Sequence, residues 1–511
     1  MTVRELLRAA SDLIPGDSRP ALAAPGLDVV CTGVTHDSRE VVPGSVFVAL
    51  QGFHADGAAF APQAIRAGAA AIVAETNAPT ATPAGTASED TAAWIAVSDA
   101  RLALAHLAAE FNGHPSRAMR VVGVTGTNGK TTTAYLVRAI FEAAGVTCGL
   151  MGTVAHCIGD TVIESARTTP EAPDVQRLLR QMRDSGCGAC VMEVSSHALA
   201  LRRVDGTHFA AGVFTNLTRD HLDFHVNMEG YFAAKRRLFE MLPREAPAVI
   251  NVDDPRGPSL ADSAGSPLTF AINRVADVTP GPLSFSLDGL SFDARLPQGV
   301  VHVRSTLVGR PNVYNILGAV GVTAALGVPL EAIERGIARL TGVPGRFEVV
   351  SRRGDDITVI VDYAHTDDAL RNLLETARPM AMRRLITVFG AGGDRDRTKR
   401  PLMGLVAARL SDVVIITSDN PRSEDPAQII EEVMRGAEPE ARQRNARALT
   451  VVDRREAIVQ AVAGAAPGDV VLVAGKGHEK YQVIAGTTYP FDDVAVAREA
   501  LDARPQTSGV G

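Results

Sequence analysis

The stretch "RVVGVTGTNGKTTTAYLVRAIFEAAG", residues 120–145, constrains the fold more than any other part of the chain. An apolar run of strand length passes through a glycine-rich turn straight into a helical pattern, which is the opening of an α/β unit. The turn departs from the usual phosphate-loop spelling, because Val124 stands where that pattern has its first glycine. Glycines stand instead at Gly123, Gly126 and Gly129, ahead of Lys130, Thr131 and Thr132. Such glycines let backbone N–H groups approach phosphate oxygens, and the helix N-terminus adds partial positive charge. Gly126, Thr127, Asn128, Gly129, Lys130, Thr131 and Thr132 are therefore expected to hold ATP, with Lys130 at the terminal phosphates and a threonine hydroxyl on Mg²⁺. A plain strand-to-helix turn is the alternative.

Further apolar strands recur at "GACVMEV", "AAGVFTNL" and "APAVINVD". From about residue 346, "ITVIVDYAH", "LITVFGAGG", "DVVIITSDN" and "DVVLVAGKGHE" alternate with helices such as "RPLMGLVAARL". This alternation predicts mostly parallel sheets. Ahead of the loop, "VFVAL" and "AAAIVAE" read as strands, residues 77–92 as a polar loop, "DARLALAHLAAEF" as a helix and "NGHPSRAM" as a linker. At 511 residues the chain is too long for one core, and it divides into blocks 1–111, 112–345 and 346–511.

A net charge of −7 without a basic run disfavours a nucleic-acid or anionic-membrane surface. The acids among short apolar runs in "MTVRELLRAASDLIPGDSRP" do not make a signal peptide, and no apolar run approaches the ~20 residues of a membrane span. Five cysteines fit reduced thiols in a cytoplasm better than a disulfide framework. Cys187 and Cys190 form a CxxC that runs into an apolar strand without a second pair, so buried structural cysteines are expected.

A phosphate loop needs a metal partner. Glu193 ends the run "ACVMEV", where an acid at a strand's C-terminal end can meet Mg²⁺ beside the phosphates. "NLTRDHLDFH" groups Asp220, His221, Asp223 and His225 behind another strand. Each alone reads as a surface polar residue, and together beside a phosphate loop they point to a metal site.

"GVTGTNGKTTT", "MEVSSHAL", "FTNLTRDHLDFH", "GRPNVYNILGA", "VPGRFE", "VDYAHTDDAL", "GAGGDRDRTKRPLMG", "SDNPR" and "GKGHEKYQ", in this order, resemble the motif set of the Mur ligases over nearly the whole chain. The similarity is greatest to the MurE type, which adds the third amino acid to UDP-N-acetylmuramoyl-L-alanyl-D-glutamate. The resemblance implies an α/β protein of three domains: a smaller N-terminal UDP-binding domain, a central ATPase and a C-terminal Rossmann-like domain for the incoming amino acid. It implies an ATP-dependent amide-bond ligase acting through an acyl phosphate, expected to be cytoplasmic, monomeric and without membrane insertion or nucleic-acid partners. By resemblance, Thr131, Glu193 and His221 belong to Mg²⁺ sites, and Asn315 contacts adenine. Arg346 at the hinge, Asp362 and His365 contact the nucleotide from the closing domain. Lys235, by sequence alone a helix-surface lysine beside Arg236 and Arg237, matches a family lysine carbamylated by CO₂ into an anion that bridges metals.

For the UDP-muramoyl dipeptide the resemblance implies Ser38 at the uracil end, His54 in the 52–57 turn near the diphosphate, and Thr168, Thr169, Ser195 and Arg203 at the peptide end. Arg167 and Leu201 depart from the Asn and Gln that some members carry. For meso-diaminopimelate it implies Arg395, Asp419, Asn420, Pro421, Arg422, Gly475 and Glu479, with Glu479 on the distal ammonium. Diaminopimelate differs from lysine by an additional carboxylate, which the planar fork of a guanidinium can grip at both oxygens. Rival readings are a lysine-adding member, a folate polyglutamylating relative, an inactive ATP- or muropeptide-binding scaffold, and a dinucleotide fold at "GAGGDRD". Arg395 occupies the third glycine position of that last pattern.

Overall fold

The computed structural model describes residues 1–13, 22–24, 26–52, 55–77, 92–286, 288–352 and 354–504. Its first sheet is parallel throughout and runs in sequence order: β1 (Gly33–Thr35), β2 (Ser45–Val48), β3 (Ala71–Ala74) and β4 (Ala93–Ala96). The expected strands at "VFVAL" and "AAAIVAE" supply β2 and β3. The expected helix spans Ala100–Phe111, and Asp99 caps it by accepting the Leu102 N–H. Residues 78–91 of the expected polar loop lie outside the described residues. Within "NGHPSRAM", Pro115–Ala118 form a 3₁₀ turn.

The second sheet contains β5 (Arg120–Thr125), β6 (Cys148–Met151), β7 (Ala155–Ile158), β8 (Thr161–Glu164), β9 (Ala189–Glu193), β10 (Ala211–Phe214), β11 (Ala248–Asn251) and β12 (Pro267–Phe270). Their spatial order is β12-β11-β10-β5-β9-β6-β7-β8. Strand β5 is central and pairs in parallel with both β9 and β10. The C-terminal ends of these three strands therefore share one sheet edge, where α/β folds place ligands. Both faces are covered: Val122 and Val124 pack in one core with Leu136, Ile140 and Leu317, and Val121 and Met192 in another with Leu238. Two-sided burial is why these strands read as unbroken apolar runs. Cys187 and Cys190 are free and buried, as expected of structural thiols.

A small antiparallel sheet follows: β13 (Thr279–Pro280), β14 (Ser284–Ser286), β15 (Gly289–Leu296) and β16 (Gly299–Ser305). The last large sheet contains β17 (Glu348–Val349), β18 (Thr358–Asp362), β19 (Leu385–Phe389), β20 (Val413–Ile416), β21 (Arg447–Thr450) and β22 (Val470–Ala474). Its order is β17-β18-β22-β19-β20-β21, parallel except at edge strand β17. The loops after β18, β19, β20 and β22 leave one edge of this sheet, and they carry the "DYAHT", "GAGGDRD", "SDNPR" and "GKGHE" segments. No helix among the described residues is long and apolar enough to cross a membrane.

Candidate functional site

The glycine loop turns where β5 ends, and the helix Lys130–Ala143 starts at once behind Gly129, with no side-chain cap. The first N–H groups of such a helix are open to an anion. Gly129 has φ +85°, and a Cβ there would lie 2.3 Å from Asn315 Oδ1, so both conformation and space demand glycine. The loop is braced from β10: Thr215 Oγ1 donates to the Asn128 carbonyl (2.6 Å), and the Asn128 N–H donates to Asn216 Oδ1 (2.9 Å). Thr127 and Tyr231 hydroxyls lie 3.1 Å apart.

Two amines converge on one carbonyl in this loop. Lys130 Nζ donates to Gly126 O (3.0 Å) and Thr127 O (2.8 Å), and Lys235 Nζ donates to Gly126 O (2.6 Å). Lys235 is not a helix-surface residue, as its sequence context alone suggests. It is 1% exposed, and its amine lies over the Tyr231 ring. Burial, then the charge of Lys130, hold the Lys235 amine well below the usual lysine range. Burial lowers Lys130 too, against the pull of Glu193.

Glu193 is fully buried at the end of β9. Its Oε2 accepts the hydroxyls of Thr131 (2.9 Å) and Thr153 (2.9 Å), and its Oε1 accepts the Thr153 N–H (2.8 Å). Arg346 Nη2 donates to Thr131 Oγ1 (3.1 Å), which places the hinge guanidinium at the head of the loop helix. Arg346 Nε is buried without a hydrogen-bond partner, a cationic donor suited to a phosphate oxygen. His221 has φ +53° and lies beside Asp220. Burial lowers its imidazole below the usual histidine range, which favours a neutral ring able to ligate a metal. No group of three or more His, Cys, Asp or Glu side chains among the described residues could alone hold a metal ion. Thr131 and Glu193 together offer a hydroxyl and a carboxylate, oxygen donors that suit Mg²⁺ when phosphate oxygens and waters complete the shell, while His221 lies with Asp220, His197 and Tyr231. Of the other candidates, Asp223 is exposed, and His225 is hydrogen-bonded to Ser196 (2.9 Å).

The peptide-end residues form a hydroxyl-lined patch against Glu193. Thr169 Oγ1 donates to the Glu193 carbonyl (2.8 Å) and accepts the Ser195 N–H (3.1 Å). Thr168 reaches the Thr153 hydroxyl (3.0 Å). Arg203 donates to Thr169 O (3.2 Å) and pairs with Glu171 (2.8 Å), while Arg167 is exposed and pairs with the same carboxylate (2.6 Å). Ser38 is buried and donates to Gln63 (3.2 Å). His54 lies outside the described residues.

The C-terminal unit reaches the loop through direct side-chain contacts. Asn128 donates to Asp368 (3.0 Å), and Arg219 pairs with Asp396 (3.1 Å). Gly345 forms the hinge at φ +66°, and a Cβ there would lie 2.1 Å from the His478 nitrogen. Asp362 accepts the N–H groups of Phe347 and Ala364 (both 2.7 Å), so its oxygens fix the hinge segment, and burial raises its carboxyl. His365 lies 4.0 Å from Asp220. Asn315 is held by Thr133 (3.5 Å) and Asn312 (2.9 Å) against the loop.

At the far side of that sheet edge, Arg422 Nη1 lies 3.1 Å and the Arg395 side chain 3.9 Å from where a Cβ at Gly392 would sit. Asn420 donates to Glu479 (2.8 Å), and Asp419 Oδ2 lies 3.4 Å from the corresponding point at Gly475. The Pro421 carbonyl packs on Gly393. All seven residues expected at an amino-acid pocket thus gather at one place. Thr153, Tyr231 and Lys476 were not singled out by the sequence. A threonine in "GTVAH" carries no pattern of its own, whereas the lysine of "GKGHE" stands between two glycines after a buried strand and could have been found.

The glycine loop at the end of a parallel-paired central strand, met by a second mostly parallel sheet through Arg346, defines an α/β protein of the phosphate-loop class. Residues 30–112 match the catalytic domain of the Mur ligase family, 124–323 the Mur ligase middle domain and 345–477 the Mur ligase glutamate ligase domain. The UDP-N-acetylmuramoyl-L-alanyl-D-glutamate--2,6-diaminopimelate ligase of Gloeobacter violaceus is 47% identical over 477 residues, covering 93% of this chain and 95% of that protein. The protein of the same name from Geobacter metallireducens is 46% identical over 509 residues, covering 95% and 98%. A solved structure of a ligase of that name superposes with a TM-score of 0.67 at 34% identity, covering 98% of this chain and 99% of that one. The chain belongs to the Mur ligase family.

Proposed function

We propose that this chain is an ATP-dependent ligase of peptidoglycan precursor synthesis in the cytoplasm. It adds meso-diaminopimelate to the D-glutamate side-chain carboxylate of UDP-N-acetylmuramoyl-L-alanyl-D-glutamate, releasing ADP and phosphate. The observation that carries this reading is the gathering of Arg395, Asn420 and Arg422 about Gly392, with Asn420 bonded to Glu479, in a chain 47% identical to a protein named for that reaction. The division of labour follows blocks 1–111, 112–345 and 346–511, which take the UDP end, ATP and the amino acid.

A carboxylate is a poor electrophile, so it is first phosphorylated by ATP. Lys130, held at the Gly126 and Thr127 carbonyls, and Arg346, at the Thr131 hydroxyl, neutralise the transferring phosphoryl group. Thr169, Ser195 and Arg203 hold the muropeptide next to Glu193. Diaminopimelate's amine then attacks the acyl phosphate carbon and loses a proton, and the carbon–oxygen bond to phosphate breaks. Positioning supplies much of this rate, because both reactants are held at one cleft. Thr131, Glu193 and His221 would hold Mg²⁺, which offsets phosphate charge. Phosphate release that requires ATP, the UDP-muramoyl dipeptide and diaminopimelate together tests the reading. Release that is indifferent to the amino acid would overturn it.

Lys235 is proposed to work as a carbamate. Its neutral amine adds CO₂ and releases a proton, which turns one of two amines crowded on Gly126 O into an anion that Lys130 and a metal attract. Lys235→Ala is expected to lower kcat by at least about tenfold, about 1.4 kcal/mol, with partial rescue by acetate or formate. Wild-type turnover in the variant would refute the carbamate.

A further inference from the structure

Lys476 is a fully buried cation that no step above uses. It lies just past the end of β22 in "GKGHEKYQ". A buried ammonium is costly unless its N–H groups find acceptors. Here three acceptors meet its three donors: Glu479 Oε2 (3.0 Å), Asn420 Oδ1 (3.1 Å) and Asp419 Oδ1 (3.5 Å). The Tyr481 ring lies over it at 5.5 Å. With its donors occupied, Lys476 has none left for a ligand. Its influence therefore passes through three residues of the amino-acid pocket.

That influence is specific. Asn420 Oδ1 accepts both Lys476 and the Val483 N–H (3.0 Å), which fixes the amide so that its Nδ2 donates to Glu479 Oε2. Glu479 Oε2 thus takes two donors, while Oε1 takes no hydrogen bond among the described residues and the side chain stays 18% exposed. One oxygen is held inside and the other remains for a ligand ammonium.

Charge points the same way. Of the residues assigned to the pocket, Arg395 and Arg422 balance Asp419 and Glu479, so Lys476 adds one positive charge; Asp394, beside Arg422, is bound to Ser423 (2.6 Å) outside that set. Behind them Arg454 and Asp493 cancel in a bidentate pair (2.8 and 2.7 Å). Diaminopimelate with its attacking amine deprotonated carries two carboxylates and one ammonium, a net charge of minus one. Lysine in the same state is neutral. Without Lys476 the pocket is neutral and Glu479 has lost one donor, which favours an added cation.

We infer that Lys476 is a positioning residue that sets selectivity. It orients Glu479 and Asn420 and gives the pocket the charge that prefers a diamino dicarboxylate over a diamino monocarboxylate. This rests on the amino-acid pocket assigned under the proposed function. The test uses Lys476→Met, which lacks charge and donors, and Lys476→Gln, which lacks charge but keeps donors, both in the full chain. In Lys476→Met the diaminopimelate KM should rise at least about thirtyfold, with the KM values for ATP and the UDP-muramoyl dipeptide within about twofold of wild type. The preference for diaminopimelate over lysine should fall at least about tenfold in both variants. A merely structural lysine would change stability and leave that preference alone. Should Lys476→Met not fold, the preference of Lys476→Gln decides. Wild-type KM and preference in the folded variants, with diaminopimelate used normally by wild type, would overturn this inference alone. A wild type that releases no phosphate with diaminopimelate would overturn the functional reading and the inference with it.

Discussion

Lys130→Ala should abolish useful phosphoryl transfer, lowering kcat by a hundred- to a thousandfold, roughly 3–4 kcal/mol, the loss typical of one preorganised charge at a developing anion. The ammonium is tethered to the carbonyls of Gly126 and Thr127, so it sits at the mouth of the loop at no further ordering cost. Its partner cation Arg346 reaches Thr131 from the opposite sheet. Removing Lys130 leaves Arg346 alone against the phosphate charge. The residue proposed for the uracil end, Ser38, belongs to the first sheet's unit and makes no hydrogen bond to the loop among the described residues. The dipeptide Kd, by titration calorimetry, should therefore stay within about threefold, less than 1 kcal/mol. Near-normal turnover in this variant would remove the phosphate-loop assignment.

The loop was legible because its chemistry restricts its residues: three glycines and a Lys-Thr-Thr run between a strand and a helix leave few other uses. Strands β5, β9, β10 and β11 were legible for a different reason, since burial on both faces writes them as apolar runs. Strand β6, "CGLM", has the same character but is too short and glycine-interrupted to stand out. The β15–β16 hairpin was missed although its signal was present. "GLSFDARL" alternates buried and exposed residues along its length, as a half-buried antiparallel strand does.

Side-chain partnerships were the least legible part. The burial of Lys235 depends on Gly126 lying against it from a loop more than a hundred residues earlier, and a local window around "YFAAKRRLF" holds only a basic helix face. Thr153 became a partner of Glu193 because β6 lies beside β9, and that neighbourhood is set by sheet order. The segment "DHLDFH" shows the converse error. Its acids and histidines are adjacent in sequence, yet the turn at His221 sends Asp223 to solvent and His225 to Ser196. Arg346 came from the family resemblance, and the structure adds its contact with Thr131 and its orphaned Nε.

Arg422→Ala should cost diaminopimelate use about 2–5 kcal/mol in kcat/KM, the loss expected when one partner of a desolvated charge pair is truncated. ATP affinity, measured separately, should hold. The guanidinium is prepared for its task. Nη1 donates to the Gly393 carbonyl (2.5 Å), and the Arg422 N–H donates to Val483 O (3.0 Å), so side chain and backbone are both anchored. Gly392 leaves space that Arg422 Nη1 and the Arg395 stem both border. A second carboxylate on the ligand can meet the free face of that fork, and lysine offers nothing there. Wild type should consequently prefer diaminopimelate over lysine by at least about a hundredfold, about 2.7 kcal/mol. Arg422 also has φ +54°, so alanine there carries backbone strain in addition to the lost charge. Arg422→Gly separates the two effects, because glycine accepts that φ without strain. If glycine and alanine lose diaminopimelate use alike, the loss belongs to the guanidinium. Recovery in the glycine variant would trace it to the backbone and remove Arg422 from recognition. Equal turnover of diaminopimelate and lysine by wild type would overturn the substrate assignment itself.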